Sequence, residues 1–113
     1  MNIKDASMVL DREQFREITL EDEDLMRQLL AALIEDTSRQ LQLLEIALRE
    51  RDAQKCQRLA HYSKGACASI GANRAAAGFE RLERQASGGD LKDCGQQLGA
   101  LAGEVDRLRA ESI

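Results

Sequence analysis

LKDCGQQLGALAGEVDRL, residues 91–108, decides the fold. Leu91, Cys94, Leu98, Leu101, Val105 and Leu108 follow one another in alternating steps of three and four. At 3.6 residues per turn this gathers them on one face of an α-helix and leaves the polar residues on the other. Such a stripe needs other helices to cover it. Gly95, Gly99 and Gly103 recur four apart in the same stretch, each costing up to ~1 kcal/mol relative to alanine. Spacing leaves open whether they admit a close helix or mark a softened surface. The repeat is too short for a long coiled coil, and glycine-bearing loops upstream interrupt it.

Working back along the chain, SGGD at 87–90 supplies two glycines for a loop and Asp90 as a helix cap. Before it, Ala76, Phe79, Leu82 and Ala86 trace a second helical stripe. Gly71 and Asn73 punctuate the end of a third, whose inner line is Cys56, Leu59, Ser63, Cys67 and Ile70. The polar interval ERDAQ marks a turn. The helix preceding it carries Met26, Leu30, Leu33, Thr37, Leu41, Leu44 and Leu48, with Leu25, Leu29 and Ile34 widening the stripe. Thr19 followed by the acidic run 21–24 predicts that helix to start there and run to about Glu50. Val9, Leu10, Phe15 and Ile18 suffice for a short additional helix. The expected fold is therefore all-α: an antiparallel four-helix bundle with a short additional N-terminal helix, because short connections leave neighbours antiparallel.

The totals agree. The chain has 113 residues, no proline and 3% aromatics, a size for one domain and a composition poor in strand formers. A formal charge of −4 with interspersed signs offers no basic stripe for nucleic acid. No apolar run approaches the ~20 residues of a membrane span, and the first residues lack the core of a signal peptide, so the expected location is cytoplasmic and no membrane is a partner. Cys56, Cys67 and Cys94 form no CxxC pair and read as buried free thiols.

His61, the single histidine, lies about 160° around the helix from Ser63, away from the inner line. Around it on the same outward patch fall Gln57, Arg58, Lys64, Gly65 and Ala68. A core histidine would sit on the inner line, and a structural metal would need further ligands on the same face. Ser63 projects away, which disfavours a hydrolytic dyad. Spacing alone leaves an exposed nucleophile competing with an incidental surface histidine.

The stretch AHYSKGACASIGANRAAAGFERLE, residues 60–83, resembles the signature of histidine-containing phosphotransfer (HPt) domains. That signature has a histidine, then lysine and glycine at the third and fourth following positions, and a Gly-Ala pair closing the helix. Here these are His61, Lys64, Gly65, Gly71 and Ala72. Tyr62 and Ser63 depart from it, standing where many members have a small residue and a leucine. The resemblance implies an HPt-like four-helix bundle at 21–113, preceded by an N-terminal segment or short helix at 1–20 that matches no motif. It implies a phosphoryl carrier without kinase activity of its own, in which His61 is the phosphoacceptor and Lys64 offsets phosphoryl charge. Gly65, Ala68, Arg58 and Gln57 would form the docking surface. The implied partners are the receiver domains of a hybrid histidine kinase and a response regulator. No cofactor of the chain's own is expected, since Mg²⁺ would come with the receiver, and a monomer is expected. The competing readings are a dimerisation and phosphoacceptor fragment of a sensor histidine kinase, which usually has an acidic residue where Tyr62 stands, and a non-catalytic helical adaptor.

Overall fold

A computed structural model describes residues 5–113; the first four residues of the predicted segment 1–20 lie outside the described residues. The described residues form five helices: α1 (Arg12–Ile18), α2 (Glu23–Arg49), α3 (Ala53–Ile70), α4 (Asn73–Ser87) and α5 (Leu91–Arg109). No strand occurs among the described residues. Helices α2 to α5 close a ring in which each packs on its two chain neighbours and α5 returns to α2. The loops between them span only 50–52, 71–72 and 88–90, too short for anything but antiparallel neighbours. Cross-helix contacts run accordingly: Arg74 pairs with Glu104, Gln97 reaches the Gly78 carbonyl, and the Cys94 thiol reaches the Leu82 carbonyl.

Helices α1, α2, α3 and α5 each start where a short acid can satisfy orphan amides, whereas α4 follows Ala72 without a side-chain cap. Asp11, Asp22, Asp52 and Asp90 accept from the backbone N–H three residues on, each such cap contributing roughly 1 kcal/mol. The start of α2 differs from the sequence expectation. Thr19 closes α1 instead, with its hydroxyl donating to the Phe15 carbonyl at 2.7 Å. The chain then turns through Leu20 and Glu21 at φ 53° and 61°, which leaves Asp22 to cap α2. Ile18, counted among the apolar residues of the short helix, is 46% exposed, whereas Phe15 is fully buried.

The four stripes meet in one core. Leu44, Phe79, Leu82, Leu101, Val105 and Leu108 are essentially inaccessible, and truncating any one of the leucines would cost about 2–5 kcal/mol. All three cysteines are buried and unpaired. Burial pushes the Cys67 thiol up to about 12 and, with nearby Cys56 and acids, that of Cys94 up to about 11.

The glycines of α5 mark a softened surface: a Cβ at Gly95 or Gly99 would meet nothing among the described residues within 4 Å. The close helix approach lies elsewhere, at Gly78, where a Cβ would come within 2.6 Å of Leu101 Cδ2. Leu101 is fully buried, so the side chain that would have to shift is itself part of the core. For Gly78→Ala, overpacking costs about 1–3 kcal/mol and helix propensity returns at most ~1, so a net loss of up to about 2 kcal/mol is expected. Gly95→Ala should instead gain up to ~1 kcal/mol. Urea unfolding of the two variants measures this, and the reverse order would refute the packing assignment.

Candidate functional site

The turn between α3 and α4 builds the site. Gly71 closes α3 at φ 97°, and any Cβ there would stand 3.0 Å from the Asp11 carbonyl oxygen and 3.1 Å from Asp11 Cβ, so two separate constraints favour glycine. The segment leading into α1 is stitched onto this turn: Asp11 N–H donates to the Gly71 carbonyl at 2.8 Å, and Arg74 N–H to the Met8 carbonyl at 2.9 Å. With α3 and α4 joined so tightly, residues equally far back from the turn face each other. His61 precedes Gly71 by ten residues and Glu83 follows Asn73 by ten.

Glu83 uses that position to bridge two side chains of α3. Its Oε2 lies 2.9 Å from His61 Nδ1, and its Oε1 accepts from Lys64 Nζ at 2.9 Å. Burial by itself pushes the Glu83 carboxyl up, but hydrogen bonds from Lys64 and His61, with their charges, outweigh it and hold the group below its ordinary value. Glu83 is thus ionised at neutral pH and can only accept. His61 Nδ1 therefore carries the proton and donates it, which leaves the lone pair of a neutral ring on Nε2. The His61 side chain is 67% exposed, against 19% for both Lys64 and Glu83. The result is an oriented imidazole facing solvent, backed by a carboxylate and an ammonium.

The other residues singled out in the sequence fall into place around it, with one exception. Gln57 and Arg58 line an open groove together with His61, Gln54, Tyr62 and Glu83. Gly65 leaves empty space beside the histidine, since a Cβ there would touch nothing among the described residues within 4 Å. Ala68 does not belong to this surface. It is only 7% exposed, because α1 lies over the end of α3 and Gln14 Nε2 donates to the Ala68 carbonyl at 2.9 Å. Ser63 is buried, its hydroxyl donating back to Leu59. The sequence reading missed Glu83. The equal ten-residue offsets about the Gly71–Asn73 turn are the signal that could have found it.

A helical bundle with an oriented, exposed histidine on one outer face matches a known class. The Hpt domain model matches residues 28–111, and the chain belongs to that family. Among solved structures, the crystal structure of histidine-containing phosphotransfer protein B (HptB) from Pseudomonas aeruginosa PAO1 is similar to it, with a TM-score of 0.84 and 27% sequence identity over 90% of this chain and 89% of that one. No curated protein sequence matches the chain significantly. No helix among the described residues is long and apolar enough to cross a membrane. The family is one of phosphorelay carriers that work with the receiver domains of two-component systems.

Proposed function

We propose that the protein is a phosphorelay intermediate in which His61 accepts a phosphoryl group from the aspartyl phosphate of one receiver domain and passes it to the aspartate of another. The observation that supports this most directly is the bridge of Glu83 to His61 Nδ1 and Lys64 Nζ, which engages Nδ1 and leaves Nε2 as the reactive nitrogen of a side chain that is 67% exposed. In this reading the Nε2 lone pair attacks phosphorus in line, the P–O bond to the receiver's aspartate breaks, and the carboxylate leaves with the bonding electron pair. The proton stays on Nδ1, so the phosphorylated ring carries a positive charge that faces the Glu83 carboxylate. No proton has to move in either direction, which suits a reversible carrier.

Lys64 is placed one turn from His61 to offset charge on the transferring group, and to do so it exchanges part of its contact with Glu83 for the phosphoryl oxygens. Arg58 and Gln57 border the approach. Mg²⁺ at the shared site is the receiver's contribution, and the bundle acts as a cytoplasmic monomer without autonomous kinase activity. The hybrid kinase and the response regulator expected from the sequence are the proposed donor and acceptor.

Incubation with a panel of phosphorylated receivers tests the reading. Phosphate should appear on a histidine, acid-labile and base-stable, while ATP alone labels nothing; labelling by ATP, or by no receiver, would overturn it. Gly65 gives a sharper test of docking. Because space beside it is open, Gly65→Leu should fold at least as stably as the parent yet project a side chain into the approach. Receiver affinity should fall tenfold or more, about 1.4 kcal/mol, and unchanged affinity would remove Gly65 from the docking surface.

A further inference from the structure

Of the three aromatic residues, Phe15 and Phe79 are fully buried. Tyr62 is 54% exposed and stands next to His61 in the chain. It lines the same groove as His61, Gln57, Arg58 and Glu83. Its hydroxyl donates to Asp36 Oδ2 on α2 at 2.9 Å, so the ring is tied to a second helix. That bond, with the Asp36 charge, raises the phenol above its ordinary value of 10.0.

We propose that Tyr62 is a specificity-determining residue of the transfer reaction, an anchored aromatic platform that selects receivers offering an apolar side chain beside their phosphorylated aspartate. The inference rests on the phosphotransfer reading above. Any partner that brings an aspartyl phosphate in line with His61 Nε2 must cover the neighbouring surface, and Tyr62 is its largest apolar exposure. The hydroxyl is already engaged by Asp36, so what remains for a partner is the carbon face of the ring, whose complement is apolar. A tyrosine has few torsions to immobilise, and the Asp36 bond removes some of that freedom before docking, which lowers the entropy lost on association. Aromatic residues held in this way are frequent energetic centres of interfaces.

Single-turnover transfer from a panel of phosphorylated receivers, measured against receiver concentration, tests the proposal. Tyr62→Ala should raise the half-saturating concentration tenfold or more for the preferred receivers, change the maximal rate less than threefold, and narrow the spread of preference across the panel. Tyr62→Phe and Asp36→Ala keep a ring but lose the anchor, so each should raise the half-saturating concentration a few-fold. The double variant should be no worse than either, because both remove the same bond. Tyr62 is the single tyrosine and there is no tryptophan, so ultraviolet titration reads the phenol directly and should show Asp36→Ala returning it toward its ordinary value. Transfer to Tyr62→Ala with unchanged half-saturation and unchanged preference would overturn this inference alone. Failure of every receiver to label the parent protein would overturn the phosphotransfer reading, and this inference with it.

Discussion

His61→Gln should accept no phosphoryl group from any receiver that labels the parent protein, while its helical circular dichroism and urea midpoint stay nearly unchanged. The loss is complete because the nucleophilic ring nitrogen is gone and no other histidine exists to replace it. The fold is spared because the side chain is 67% exposed and, among the described residues, its hydrogen-bond partner is Glu83 alone. Exposed pairs of this kind contribute about 0–1 kcal/mol, and surface substitutions commonly fall within about 0.5 kcal/mol. Labelling that survives in His61→Gln, or unfolding that accompanies its loss, would defeat the assignment.

Glu83→Ala carries the second large effect. It releases the imidazole from its oriented tautomer and leaves Lys64 without its carboxylate. Small misplacement of a reacting group can cost ~100-fold, so transfer should slow by about 10- to 100-fold with receiver affinity little altered. Glu83→Gln keeps an acceptor for Nδ1–H but not the charge that balances Lys64 and the phosphorylated ring, and it should fall between the two. The same residue makes a prediction about pH. The folded carboxyl lies below its ordinary value of 4.5, so its stabilising contribution is complete above the unfolded value and is lost as pH falls through the folded one. In urea titrations the parent should lose stability as pH falls below the ordinary carboxyl value of 4.5 more steeply than Glu83→Gln. Equal acid sensitivity would show that the bridge contributes nothing to folding, and equal transfer rates would remove Glu83 from the reaction.

The elements that sequence placed correctly are those governed by periodicity and local capping. The stripe from Leu91 to Leu108, the loop at 87–90 with Asp90 as cap, and Gly71 at the end of α3 all depend on residues within one or two turns of each other, and the geometry of a helix relates such neighbours directly. The outward direction of His61 follows from the same phasing. Where the reading slipped, a second element had intervened. Ala68 sits on the outward arc of an isolated α3, but α1 covers it. Thr19 is a competent cap in isolation, yet a left-handed turn at Leu20 and Glu21 assigns the role to Asp22. For the glycines at four-residue spacing in α5, spacing left a close approach and a softened surface open, and the close approach falls on Gly78, opposite Leu101.

By itself, then, the sequence determined an all-helical bundle, its four apolar faces, an exposed histidine with lysine and glycine one turn on, and the resemblance that family membership confirms. Tertiary structure alone decided that one carboxylate from α4 holds both His61 and Lys64, that Tyr62 is tied to Asp36 of α2, and that α1 seals the end of α3. The physical reason is register. Helical periodicity fixes which residues share a face, but which side chain of a neighbouring helix stands opposite is set by the length and conformation of the loop and by what else packs against it.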